Sequence, residues 1–203
     1  ENYDDRAVIG SDETLKGDTF GGLVVASFSY TPDLREELEG LGLQDSKRIK
    51  DDHIMFLAEQ LQQRYGSRCV IRELTPEDYN KKLLHGNVTQ LMNTLHREVA
   101  VGKQARQIHL VDKYPGCTVG DVAVTRAESC SLAVAAASVL ARAKGLQQFQ
   151  ELSAQAGFTL PLGSTHVKEA LKQLTRDGQQ LGTFAKLHFK NVQHFLATEG
   201  QSL

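Results

Sequence analysis

Long apolar runs are missing from this 203-residue chain. No stretch approaches the roughly 18 continuous apolar residues that a membrane-spanning helix needs. The opening residues, Glu1 to Arg6, are too acidic for a secretory leader, so a cytoplasmic location is expected. Cysteine is scarce: Cys69, Cys117 and Cys130 are odd in number and lack Cys-x-x-Cys spacing. That excludes a disulfide framework and a thiolate zinc site as organising devices, and free thiols are expected. The seven histidines form no pair at zinc-site helical spacing, so surface or partly buried roles are expected for them rather than ligation. A basic surplus is lacking as well, since 23 Lys and Arg face 25 Asp and Glu for a net charge of −2. The acidic excess lies in residues 1–66 and a mild basic excess follows it. A stand-alone nucleic-acid binder usually carries net positive charge, because neutralising phosphates supplies most of its affinity.

What is present is enough for one sizeable core: 40% of residues are hydrophobic. Residues 7–30 place short β-branched runs (Ala7-Val8-Ile9, Leu23-Val24-Val25-Ala26) around a Gly-rich turn, the pattern of a hairpin opening a sheet. From Lys50, Ile54, Leu57, Ala58, Leu61 and Tyr65 share a helical face, with Gly66 as the expected C-terminal cap. Arg68 to Leu74 reads as a strand. Thr75-Pro76-Glu77-Asp78 starts a short helix with a hydroxyl cap, proline at the first position and acids near the positive dipole end. Val88, Leu91, Met92, Leu95 and Val99 trace the next helix, followed by strands at 107–111 and 119–125. Residues 130–156 predict one long buried helix whose alanines let it approach a sheet closely, and helices at about 165–177 and 183–197 finish the chain. There is no repeat, low-complexity stretch or internal linker. The expected architecture is a single α/β domain: a sheet core over about 1–156 and a C-terminal helical region over about 157–203.

Four acids fall at element ends: Asp12 and Glu13 after the first strand, Asp112 after a later one, and Glu128 just before the alanine-rich helix. Adjacent strand residues point to opposite faces, so Asp12 and Glu13 share a site only if the strand breaks there, as the Lys16-Gly17 turn suggests. Clustered carboxylates repel, which makes sense mainly where a hard cation neutralises them. Each acid also has an ordinary reading as a turn or cap residue.

A resemblance sharpens this. Ile9-Gly10-Ser11-Asp12-Glu13 continued by Lys16-Gly17-Asp18-Thr19-Phe20-Gly21, then Asp45-Ser46-Lys47, then Arg126-Ala127-Glu128-Ser129 with Ala133 to Ser138, and finally Ala185-Lys186-Leu187-His188-Phe189-Lys190-Asn191 are similar to ribonuclease HIII, a type 2 ribonuclease H family. The ordered blocks span nearly the whole chain, and the last favours HIII over HII. The resemblance implies a ribonuclease H-like mixed sheet flanked by helices. It implies a metal-dependent endonuclease cutting the RNA strand of RNA/DNA hybrids to 5′-phosphate and 3′-hydroxyl ends. The implied catalytic and metal-binding set is Asp12, Glu13, Asp112 and Glu128, with Asp121 as rival for the fourth place and Mg²⁺ or Mn²⁺ as cofactor. Two such ions about 3.5 to 4 Å apart would activate water and stabilise the leaving oxygen. The implied substrate contacts are Lys16, Gly17, Ser46, Lys47, Gly163 and Ser164, to which Lys186 and Lys190, four apart on an expected helical face, would add a basic edge.

Two departures stand out. Leu15 occupies a place where the family typically carries glycine, and its Cβ is expected to forbid the turn's backbone angles or block close approach to a ribose. The family's usual N-terminal substrate-binding domain would also have to lie outside a chain that begins 11 residues before Asp12; an excised catalytic domain is the expectation. Two rivals therefore stay open: a binding module that keeps the fold without the activity, and a DNA-directed nuclease of the same fold. Retention of all four acids argues against the first, since a module freed from catalysis has no physical reason to keep mutually repelling carboxylates.

Overall fold

The computed structural model describes residues 1–43 and 48–199. Its elements run β1 Val8–Thr14, β2 Leu23–Tyr30, α1 Arg35–Gly40, α2 Asp51–Tyr65, β3 Cys69–Leu74, α3 Pro76–Leu83, α4 Val88–Val99, β4 Ile108–Asp112, β5 Val122–Val124, α5 Leu132–Ala156, α6 Val167–Arg176 and α7 Lys190–Thr198. The strands make one mixed sheet in the order β3-β2-β1-β4-β5. β1 pairs antiparallel with β2 and parallel with β4, and β4 pairs parallel with β5. This is the expected ribonuclease H-like α/β architecture. Among the described residues, no helix is long and apolar enough to cross a membrane.

The chain divides into two compact units. The first holds Glu1–Thr14, Val24–Arg72 and Asn87–Lys144; the second holds Leu15–Leu23, Glu73–Gly86 and the residues from Gly145 onward. In the first unit, alternation along β1 assigns each face of the strand its own helix. Gly10 faces α5 so closely that a Cβ there would lie 2.4 Å from the Ala133 carbonyl carbon and the Val134 nitrogen. The alanines expected to permit that approach, Ala133 and Ala135 to Ala137, are fully buried. Leu132 N–H, in the first turn of α5, donates to the Asp4 carboxylate at 2.8 Å. On the opposite face α4 starts with a reciprocal capping box: Asn87 Oδ1 accepts from Gln90 N–H, and the Gln90 side chain accepts from Asn87 N–H. Its buried stripe is Leu91, Met92, Leu95 and Val99, as the periodicity predicts.

In the second unit, Thr75 caps α3 by accepting from Asp78 N–H at 3.2 Å, again as the sequence predicts. The helical region expected from Gly157 onward shares this unit with residues 15–23 and 73–86. Its last helix is a correction: in place of one helix over 183–197 there is a short 3₁₀ turn at Leu181–Thr183, then α7 from Lys190. Phe184 and Ala185 between them are buried, and Phe20 bridges Ala185 in antiparallel fashion, so extended backbone wins there over helical periodicity. Gly66 is the C-cap of α2, as the sequence predicts, in a right-handed rather than left-handed conformation, and the chain runs on as a 3₁₀ turn through Arg68.

Candidate metal centre

β1 and β4 run parallel with Ser11 opposite Val111, so the next residue of each, Asp12 and Asp112, ends up at the same edge of the sheet. Asp12 is 7% exposed. Its carboxylate accepts from Glu13 N–H at 2.8 Å and from the Ser138 hydroxyl of α5. Burial, and after it the negative charges of Glu13 and Asp112, push the Asp12 pKa well above the usual carboxylate range. Asp112 is fixed by Ala127 N–H, which donates to its Oδ1 at 3.0 Å. That contact anchors the short turn Ala127–Ser129, which carries the buried Glu128. The turn is entered through Arg126 in a left-handed conformation, φ 57°, unusual for a side-chain-bearing residue.

The strand does not break at the acidic pair, and the condition read from sequence is too strict, since the Glu13 charge raises the Asp12 pKa although the two side chains leave the strand on opposite faces. The ladder continues through Asp12↔Ala26, Glu13↔Val25 and Thr14↔Val24. Asp12 therefore faces α5, whereas Glu13 faces α4, where its Oε2 lies 3.2 Å from His96 Nε2. Among the described residues no three acids, imidazoles or thiols already stand at metal-holding spacing. The donor set is nonetheless suited to a hard cation: oxygen ligands only, with charges crowded enough to raise a carboxyl pKa.

Asp121, the rival fourth acid, lies at the other end of the parallel strands, just before β5. Its carboxylate accepts from His109 N–H and Lys103 Nζ, both at 2.7 Å, and those bonds hold its pKa down.

Sequence reasoning missed a buried polar chain behind Glu13. Ser11 Oγ lies 2.7 Å from His96 Nδ1 and 2.8 Å from His109 Nε2. His96 and His109 are 0% and 5% exposed, so the expectation of surface or partly buried histidines fails for both. The Tyr114 ring covers His96 at 5.0 Å, and its hydroxyl donates to Asn93 Oδ1. Burial lowers the His109 pKa to about 4.

The second unit collects most of the residues expected to touch substrate. Gly17 is exposed, with open space around its Cα. Gly163 N–H donates to Asp18 Oδ1 at 2.6 Å, and Thr19 N–H donates back to Gly163 O at 3.1 Å, tying the Lys16-Gly17 turn to the Gly163-Ser164 loop. Exposed Ser164 lines a cleft of about 250 Å³ with Lys168, Asn191 and His194. Lys190 is exposed at the start of α7. Ser46 and Lys47 lie outside the described residues.

Two expectations are overturned here. Lys186 is not on a helix face and offers no basic edge: it is fully buried, and its Nζ donates to Asp18 O at 2.5 Å and Gly21 O at 2.8 Å between the rings of Tyr79 and Phe189. Burial lowers its pKa to about 7, against a smaller opposing pull from Asp18. Leu15 does adopt the left-handed angle, φ 71°, which overturns the first of the two effects expected of its Cβ, that of forbidding the turn's backbone angles; its side chain is buried and near Gly21. Hydrophobic burial of about 1.5 to 3 kcal/mol outweighs a left-handed cost of roughly 1 to 2 kcal/mol.

Comparison with known proteins adds an independent line. A family model described as Ribonuclease HII matches residues 9–192. A ribonuclease HIII of Limosilactobacillus fermentum is 34% identical over 209 residues, covering 92% of this chain and 68% of that protein. One from Bacillus licheniformis is also 34% identical, with 95% and 68% covered. Among solved structures, Aquifex aeolicus RNase H3 aligns with a TM-score of 0.74 at 31% identity, covering 92% of this chain and 74% of that one. Bst-RNase HIII in complex with Mn²⁺ aligns with a TM-score of 0.77 at 26% identity, covering 97% and 71%.

Proposed function

The chain belongs to the ribonuclease HII family, and from that premise we propose that it is a divalent-metal-dependent endonuclease cleaving the RNA strand of RNA/DNA hybrids, acting in the cytoplasm. The observation that carries the reading is that Asp12 and Asp112 follow the paired residues Ser11 and Val111 on neighbouring parallel strands, with the Asp112 charge among the causes of the raised Asp12 pKa. The Mn²⁺ complex of a structural relative supports the choice of metal.

Asp12, Glu13, Asp112 and Glu128 would hold Mg²⁺ or Mn²⁺. Bound there, the ions would supply an activated water and charge stabilisation at the leaving 3′ oxygen. The protein's part is positioning: Ser138 and Glu13 N–H orient Asp12, and Ala127 N–H orients Asp112. Glu128 is preferred over Asp121 because the latter is already neutralised by Lys103 at the far strand ends. Lys16, Gly17, Gly163, Ser164 and Lys190 would meet the phosphate backbone, to which Gly17 offers main chain free of any side chain.

The test is cleavage of labelled RNA/DNA hybrid, DNA duplex and single-ribonucleotide duplex, each with Mg²⁺, Mn²⁺ or chelator. Hybrid cleavage that needs metal and leaves 3′-hydroxyl ends is expected, and Asp112→Asn should cut the rate on the order of a hundredfold or more. Preferential DNA cleavage, or a folded Asp112→Asn protein working at the parent rate, would overturn the proposal.

A further inference from the structure

The chain His109–Ser11–His96–Glu13 joins β4, β1 and α4 behind one candidate metal-binding acid and has no role in the reading above. Each of its contacts is short, at 2.8, 2.7 and 3.2 Å in that order, and all but the last lie among buried atoms. We propose that His96 is a positioning residue for Glu13, held by Ser11 and presenting an Nε2 proton, so that Glu13 keeps Oε2 on the imidazole and turns Oε1 to a cation.

Proton arithmetic supports the assignment. A carboxylate oxygen can only accept, so the proton between His96 and Glu13 must sit on His96 Nε2. His96 Nδ1 then either accepts the Ser11 hydroxyl proton, with His109 Nε2 donating to the Ser11 oxygen, or carries a second proton and donates to Ser11, whose hydroxyl then donates to His109 Nε2. A single proton on His109 near neutral pH, which both arrangements require, agrees with the strong burial of that ring. Both satisfy all three contacts, and in both His96 Nε2 donates to Glu13. The His96 ring is held against rotation from both sides, by hydrogen bonds at its two nitrogens and by the Tyr114 ring 5.0 Å away. Partners of this kind, which orient a metal-binding group by a hydrogen bond, typically change metal affinity or activity by about 10- to 100-fold when removed.

The inference concerns the same site as the proposed nuclease function, and its test separates the two. Long-range ¹⁵N–¹H spectra of the imidazoles in the parent protein, recorded without metal or substrate and assigned with His96→Gln, should show Nε2 of His96 protonated. Mn²⁺ titration should then show His96→Leu binding about 10- to 100-fold more weakly, with His96→Gln, whose amide can still donate to Glu13, close to the parent. Thermal unfolding of each variant reports whether it folds. A His96 Nε2 without a proton in the parent, or a folded His96→Leu protein with parent Mn²⁺ affinity, overturns the proposal. Should His96→Leu fail to fold, the parent spectra alone decide it. Absence of hybrid cleavage together with the expected His96 Nε2 proton and Mn²⁺ affinities would defeat the nuclease reading and leave this one standing.

Discussion

Leu15 and Lys186 carry two opposed ways of placing an awkward residue in the second unit. At Leu15 the backbone is strained and the side chain is well housed. Replacing it with glycine would relieve the left-handed angle but vacate the volume near Gly21 and loosen the unfolded chain. The cavity and entropy losses exceed the relief, so Leu15→Gly should cost about 1 to 3 kcal/mol in urea unfolding. Because the backbone already has a glycine-like angle, the ratio of hybrid to DNA cleavage should stay within about twofold of the parent, the size of an effect well below one hydrogen bond. A clear rise in hybrid preference would show that the side chain does obstruct the ribose. At Lys186 the backbone is ordinary and the charge is the difficulty. Its folded pKa, about 7, lies below the roughly 10.4 of an unfolded lysine, so between those values the unfolded chain binds the extra proton. Stability should therefore rise with pH across that window, at up to about 1.4 kcal/mol per unit, and the burial penalty should be fully present below pH 7. Other groups titrate too, so the quantity to measure is the difference between parent and Lys186→Met from pH 6 to 10. A flat difference would mean that the two carbonyls and two rings around Nζ hold its proton as firmly as water does.

At the level of elements, close packing of β1 against α5 explains why residue 10 is glycine. Gly10→Ala would drive a Cβ into helix backbone, which cannot rotate away, so a loss of about 1 to 3 kcal/mol or more is expected. Gly17→Ala meets nothing within 4 Å and should change stability by less than about 0.5 kcal/mol. Equal effects of the two substitutions would show that backbone entropy, rather than the β1–α5 contact, governs both. The same elements show what sequence can reveal. α3 was legible from its chemical cap at Thr75 and α4 from its apolar stripe, because each signal lies within a few residues, whereas the Asn87 capping box went unread. The four acids stood out in the sequence because charge and element position are local, and a resemblance tied them together as the proposed metal set. The chain from Ser11 to His96 and His109 was not legible, since its members are 85 and 98 residues from Ser11 and each reads locally as an ordinary polar residue. Lys186 misled for a related reason: spaced four residues from Lys190, it suggested a solvated helical face, while the contacts that bury it come from residues 18, 21 and 79.

For the molecule as a whole, charge sets the binding behaviour. A net charge of −2 provides no long-range attraction for a polyanion, so affinity for a hybrid must come from a few local cations and main-chain donors. Each neutralised phosphate adds roughly 0.9 to the slope of log affinity against log salt for a duplex. With about three to five such contacts, raising salt from 50 to 200 mM should weaken binding by roughly 40- to 500-fold. The variants separate this electrostatic part from catalysis: Lys190→Gln should lower the slope by about one unit, whereas Lys186→Gln should leave it unchanged because that ammonium never reaches a phosphate. Fusing a basic duplex-binding module ahead of Glu1 should tighten binding and steepen the slope together. Fluorescence anisotropy with a labelled hybrid, in Ca²⁺ to slow cleavage, measures all of these. Nanomolar affinity nearly independent of ionic strength would contradict the account and point instead to apolar or base-stacking contacts as the main source of binding.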